Sequence, residues 1–145
     1  MNAYEEYMKQ IVQPMRQELT GHGFTELTSV EEVENHMESA KGISFIVINS
    51  VCGCAAGLAR PAAIEAIENL TQKPDHLVTV FAGQDQEATE RMRNYFSEVP
   101  PSSPSMAIWK DGQLAYFIPR EQIENFSKEA IVDHVQGVLE QLVTS

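Results

Sequence analysis

Two cysteines stand two residues apart, as Cys52-Gly53-Cys54, and the 145-residue sequence holds no others. An apolar run, Ile43-Ser44-Phe45-Ile46-Val47-Ile48, precedes them, and a helix-compatible stretch, Ala55-Ala56-Gly57-Leu58-Ala59, follows. A strand leading through a thiol pair into a helix puts sulfur at a helix N-terminus on the edge of a sheet. Backbone N–H groups and the helix dipole stabilise negative charge there. The thiolate is the form of cysteine that attacks disulfides, so the position suits redox chemistry. Position also divides the roles. Cys52, at the strand exit and nearer the solvent edge, is expected to attack. Cys54, further into the helix start, is expected to resolve a mixed disulfide formed on Cys52. The bland alternative makes both residues small, inert, buried hydrophobes.

Backbone dimensions put the Cα atoms of such a pair roughly 5.5–7 Å apart. That is inside the bridging window but towards its outer part. A bridge closed over one residue is strained and easily reduced, which fits a cycle better than a permanent cross-link. Gly53 is expected to help by adopting backbone angles closed to other residues. Arg60 and Pro61 lie one to two turns further on. Pro61 is expected to kink the helix, and Arg60 either adds positive potential near the thiols or faces solvent. Ser103-Pro104 enters a later strand. A cis bond at this point, facing the sulfur, would expose the backbone of Ser103 to an extended substrate. His22, His36, His76 and His134 show no ligand spacing. A Cys-x-Cys pair is two ligands short of a tetrahedral zinc site.

The elements that must hold these residues follow from apolar periodicity. Tyr4, Met8, Ile11, Val12, Met15 and Leu19 form one face of a helix over residues 2–20, which Gly21 and Gly23 end. Phe24 to Leu27 reads as a short strand. Ser29 and Glu32 make a capping box for a helix bearing Val30, Val33 and Met37. Residues 43–49 are apolar at nearly every position, the mark of a central strand covered on both faces. Ala62, Ala63, Ala66, Ile67 and Leu70 stripe the helix after the thiols. Residues 77–82 make a second central strand, and Asp85 is expected to cap a helix carrying Ala88, Met92, Tyr95 and Phe96. Asp111-Gly112 joins strands 105–110 and 114–118 as a hairpin. Ser127 caps a last helix with Ile131, Val135, Val138 and Leu142 aligned. Crossover helices imply parallel strands, and the late hairpin adds an antiparallel edge. The class is α/β, a mixed sheet with helices on both faces, and the length fits a single domain over residues 1–145.

Composition narrows the function. The formal net charge of −11 argues against a nucleic-acid partner. No apolar run approaches the roughly 18 residues a membrane span needs. The start, Met1-Asn2-Ala3-Tyr4-Glu5-Glu6, lacks the basic and apolar character of a secretory signal, so a cytoplasmic setting is expected. In such a reducing compartment a close thiol pair suggests redox or metal chemistry rather than a structural staple.

The stretch from Asn49 through Cys52-Gly53-Cys54 to Pro61-Ala62 closely resembles the bacilliredoxin family of low-GC Gram-positive bacteria. So do residues 78–85, Val-Thr-Val-Phe-Ala-Gly-Gln-Asp, and 101–105, Pro-Ser-Ser-Pro-Ser. The resemblance extends over essentially the whole chain. It implies a thioredoxin-like three-layer fold with an extra N-terminal helix. It also implies a glutaredoxin-like role that serves bacillithiol, a low-molecular-weight thiol used in place of glutathione. On this reading Cys52 attacks the disulfide of an S-bacillithiolated cytosolic protein and takes the bacillithiol. Free bacillithiol or Cys54 then discharges it, and Gly53, Ser103 and Pro104 contact the substrate. No tightly bound cofactor is implied, bacillithiol being a co-substrate. Thioredoxins carry Cys-x-x-Cys after a Trp, whereas Val51 and a one-residue spacer stand here. Two other readings remain open, a general protein disulfide reductase or isomerase and a thiol-pair metal-binding module.

Overall fold

A computed structural model describes residues 2–143. Helix α1 spans Ala3–Thr20, with the Asn2 side chain accepting from Glu5 N–H at 2.8 Å. It ends in a turn where Gly23 takes φ 97°, a left-handed conformation that suits glycine. Strand β1 (Thr25–Glu26) and helix α2 (Val30–Ser39) follow. Ser29 Oγ caps α2 by accepting from Glu32 N–H at 3.1 Å. The Glu32 carboxylate reaches back one residue further than the capping box requires, to Thr28 N–H at 2.8 Å.

Strand β2 (Ile43–Asn49) is buried at all seven positions, as its nearly continuous apolar pattern predicts. A π-helical turn, Ala55–Ala59, then leads into α3 (Arg60–Asn69), and the Arg60 N–H bonds to Ala55 O. The expected disturbance at Pro61 takes this form. Proline crowds the preceding turn and lacks a donor, so the chain widens just ahead of it. Strand β3 (His76–Phe81) and helix α4 (Gln86–Asn94) come next. The Asp85 backbone starts α4, its carbonyl accepting from Thr89 N–H at 2.9 Å. Its side chain makes no cap, because the carboxylate pairs with Arg16 of α1 at 2.6 and 3.2 Å. Strands β4 (Ser105–Lys110) and β5 (Gln113–Ile118) close the sheet. Asp111 and Gly112 join them, both with positive φ, as a tight hairpin requires. A short helix α5 (Glu121–Glu124), absent from the sequence expectation, precedes α6 (Lys128–Val143). Ser127 Oγ accepts from Ala130 N–H at the start of α6.

The strand order is β1-β3-β2-β4-β5. Strands β1, β3 and β2 run parallel, while β4 pairs antiparallel with both β2 and β5. The hairpin therefore adds one interior strand and one edge. Side chains of β2 alternate between two cores. Phe45 and Val47 pack with Ala62, Ala66, Ile131 and Val135 of α3 and α6. Ile46 and Ile48 pack with Val33, Met37, Ala88 and Met92 of α2 and α4. The fold is thus an α/β mixed sheet covered on both faces, with an N-terminal helix added. No helix of the described residues is long and apolar enough to cross a membrane.

Candidate active site

The strand exit is held before the thiols begin. Asn49, the last residue of β2, is 1% exposed. Its Oδ1 accepts from Ser50 N–H at 2.8 Å and from Arg60 Nη1 at 2.8 Å. Arg60 Nη1 also donates to Ser50 O at 2.9 Å, and Arg60 Nε pairs with Glu18 of α1 at 2.6 Å. Arg60 is 2% exposed, so it neither faces solvent nor aims at the sulfurs. It braces the loop from beneath.

Cys52 sits at the helix threshold. Its N–H donates to Ser50 Oγ at 3.2 Å, and its carbonyl accepts from Ala55 and Ala56 N–H at 3.1 and 3.3 Å. Both cysteines are free thiols and both are half-buried. Exposure therefore does not separate them, contrary to the expectation that Cys52 is the more solvent-facing. Acidity does. Burial opposes ionisation of Cys52, but the Ser50 hydroxyl, the N–H groups of Ala55 and Cys54, and the Arg120 charge outweigh it. Its pKa falls below the ordinary thiol value. The Cys54 pKa moves the other way, raised by burial and by the neighbouring Cys52 charge, which Arg120 only partly offsets. Gly53 between them is exposed, and a Cβ there would meet nothing within 4 Å. Its φ lies outside the left-handed region, so the reduced loop does not depend on glycine for its backbone angles. The space above it is open.

Ser103 and Pro104 arrive from β4. The register pairs Ile48 with Ser105, which carries the Ser103–Pro104 segment up beside residues 49–51. The Ser103–Pro104 peptide is cis, as expected. Pro104 is buried and Ser103 half-buried. The link from this segment to the sulfurs is Arg120. Its Nη1 donates to Ser103 O at 3.2 Å and its Nη2 stands 3.9 Å from Cys54 Sγ. Its Nε pairs with Glu124 at 2.9 Å, and its N–H donates to Ser102 Oγ at 3.3 Å. The Cys54 S–H in turn points to Glu124 Oε2 at 3.8 Å. Sequence reasoning missed Arg120 and Glu124. Their spacing of four, after Pro119, is a local helix signal, but nothing local ties them to the thiols.

None of the four histidines contacts a cysteine. His36 and His76 stack edge-on with ring centroids 5.2 Å apart, and His134 pairs with the Tyr116 hydroxyl at 2.7 Å. Among the described residues, no three His, Cys, Asp or Glu side chains gather to hold a metal ion. The site offers an acidified thiol, a less acidic one two residues on, a cation between that pair and Ser103, and a carboxylate beside the second thiol. Such a set can open a disulfide at one sulfur and close a second with the other.

Comparison with known proteins agrees with this chemistry. A family model described as disulphide isomerase matches residues 7–143. A bacilliredoxin of Bacillus licheniformis is 58% identical over 139 residues, 96% of either chain. One of Halalkalibacterium halodurans is 60% identical over 129 residues, 89% of either chain. Among solved structures, thioredoxin O1 of Arabidopsis thaliana superposes with a TM-score of 0.56 at 17% identity, over 83% of this chain and 98% of that one. Mitochondrial thioredoxin 3 of Saccharomyces cerevisiae does so with 0.53 at 19% identity, over 75% and 99%. These two likenesses establish the thioredoxin fold.

Proposed function

The chain belongs to the bacilliredoxin family, and on that footing we propose that it removes bacillithiol from S-bacillithiolated proteins through a mixed disulfide on Cys52. Family and fold support thiol–disulfide oxidoreductase as the class of its chemistry. The observation that carries the finer reading is the opposite displacement of the two thiol acidities, Cys52 down and Cys54 up. The pair then holds one thiol that ionises more readily, to attack, and one that keeps its proton longer, in reserve.

The Cys52 thiolate attacks the bacillithiol sulfur of the mixed disulfide, the S–S bond breaks, and the client leaves as a thiolate that takes up a proton. Cys52 then carries bacillithiol in a new disulfide. In one branch Cys54 loses its proton, with the Glu124 carboxylate beside it as acceptor, and attacks Cys52 Sγ. Bacillithiol leaves as a thiolate, and a Cys52–Cys54 disulfide remains for an external dithiol to reduce. In the other branch free bacillithiol attacks the bound bacillithiol sulfur, which frees Cys52 and leaves oxidised bacillithiol. The open space over Gly53 and the Ser103–Pro104 segment are where the client approaches. We assign this activity to the cytoplasm, where a reducing thiol pool sustains the cycle.

The description of the matched family favours a second reading, isomerisation or reduction of disulfides within proteins. One experiment separates the two. The reduced protein is mixed with a bacillithiolated client and, separately, with a client carrying an internal disulfide, and masses are followed. Rapid loss of bacillithiol with slow opening of the internal disulfide supports the proposal. The reverse order of rates overturns it in favour of the second reading.

A further inference from the structure

Beside the active-site segment lies a cavity of about 520 Å³, bounded by α4, the turn that follows it and β5. Its lining includes Ile48, Thr89, Arg93, Phe96, Ser102 and Phe117. Two polar atoms in that lining are buried with no partner, Thr89 Oγ1 and Arg93 Nε. Thr89 is 2% exposed. Leaving such an atom unpaired forfeits its lost hydration, and folded proteins tolerate few of them. The third such atom among the described residues, Trp109 Nε1, does not line the cavity.

Arg93 stands apart in a second way. The sequence holds five arginines and twice as many acids as bases, 21 against 10. Arg16, Arg60, Arg91 and Arg120 each pair with at least one carboxylate. Among the described residues Arg93 alone pairs with none. Its recorded protein contact is a bond from Nη2 to Ser102 O at 3.2 Å, and burial depresses its basicity with nothing to offset it. Glu90 also borders the cavity, on the exposed rim. In so acidic a protein, an arginine facing a hollow without a counter-ion points to an anion supplied from outside.

The cavity adjoins the thiol site. Ser102 is in its wall, and the Ser102 Oγ accepts from the N–H of Arg120, whose guanidinium reaches Cys54 Sγ. Ile48, also in the wall, lies on β2 four residues before Cys52. We propose that this cavity holds the non-reacting, carboxylate-bearing part of a small thiol while its sulfur is engaged at Cys52, with Arg93 and Thr89 as the recognising groups. The guanidinium meets a carboxylate with paired, charge-assisted bonds, and the threonine hydroxyl adds a donor. A concave volume of this size suits a small molecule. An acidic side chain of a client protein needs no enclosed space. The inference rests on the reading that a low-molecular-weight thiol is the group transferred, and it explains how one carrying carboxylates is chosen.

The test is calorimetric titration of the intact reduced protein with S-methyl bacillithiol, which cannot exchange. Saturable binding is expected, weakened at least about tenfold in Arg93→Met and in Thr89→Val, as loss of a bond to a charged group implies. Thr89→Val should keep or raise the melting temperature, since it removes an unpaired hydroxyl. A fall shows that the hydroxyl serves the fold, and overturns its assignment. Absence of binding, or unchanged affinity in Arg93→Met, overturns the proposal. In turnover, Arg93→Met should raise KM for a bacillithiolated client about tenfold more than for the same client joined to β-mercaptoethanol. Equal increases assign Arg93 to the client protein and overturn the small-thiol reading. A protein that binds S-methyl bacillithiol through Arg93 yet leaves bacillithiolated clients untouched upholds the cavity and refutes the proposed function.

Discussion

Arg120 reaches Cys54 rather than Cys52 with its guanidinium, 3.9 Å from Nη2 to Sγ, while its other terminal nitrogen holds the Ser103 carbonyl at 3.2 Å. One side chain therefore ties the segment expected to receive a client to the second thiol. Its charge also lowers the pKa of both sulfurs, though at Cys54 other influences prevail.

The two thiols should titrate on opposite sides of the free-cysteine value of about 8.5. Alkylation of Cys52, followed against pH in Cys54→Ser, is expected to reach its midpoint below that value. For Cys54 in Cys52→Ser the Cys52 charge is gone, so its midpoint should lie lower than in the intact protein. A depressed Cys52 pKa stabilises the reduced fold above the ordinary thiol value, and that contribution is lost as pH falls through the folded one. A Cys52 midpoint at or above the free value contradicts the assignment.

Replacing Arg120 by Gln should raise the Cys52 midpoint and slow its alkylation at neutral pH roughly two- to fivefold, a modest effect because salt screens an exposed charge. High salt should shrink the difference between the two proteins. An unchanged profile at low salt removes Arg120 from the chemistry.

Adduct trapping separates the roles of the thiols. Cys54→Ala is expected to retain bacillithiol on Cys52 after mixing with a bacillithiolated client, because only solution thiol can then discharge it. In the intact protein the second thiol acts at high effective concentration. Cys52→Ala should take up none. Mass spectrometry reads both variants, and clearance at the intact rate by Cys52→Ala reverses the roles.

Buried Arg60 offers a test of the scaffold. Arg60→Ala removes the partner of Glu18 and a donor to Asn49 and Ser50, and should cost about 3 kcal/mol in urea unfolding. A loss under about 1 kcal/mol means the loop is braced by other contacts.

His36 gives the fold a pH dependence of its own. It is half-buried with Nε2 against Ser44 Oγ at 2.9 Å, and burial first, then the charge of His76, lowers its pKa. Unfolded, it takes up a proton near its ordinary value of about 6.5. Its stabilising contribution is therefore present above that value and lost as pH falls through the folded one. His36→Gln should flatten the decline in melting temperature between about pH 7 and 5, and an identical slope in both proteins rules the residue out.

What the sequence made legible was what local pattern controls. Strand β2 announces itself by a run apolar at nearly every position, the hairpin by Asp111-Gly112, and the starts of α2 and α6 by Ser29 and Ser127. The thiol pair was visible from spacing alone. The surroundings that tune it were not, because they arrive from a distance. Arg120 lies 66 positions from Cys54, and Arg16 lies 69 from the Asp85 carboxylate it draws away from the helix start. Arg60 reads as either a charge near the thiols or a surface residue until α1 supplies Glu18. Arg16, Arg60 and Arg120 are charged side chains whose partners are chosen by the fold.

That partnership between Glu18 and Arg60 has a practical edge. The thioredoxins that superpose on this chain match 75–83% of it while being covered almost whole. Trimming the protein to their length by starting after α1 would strand a guanidinium beneath its own reactive loop. Anyone engineering a shorter probe from this scaffold must replace Arg60 or give it another counter-ion, because the first helix acts as a counterweight to the redox loop.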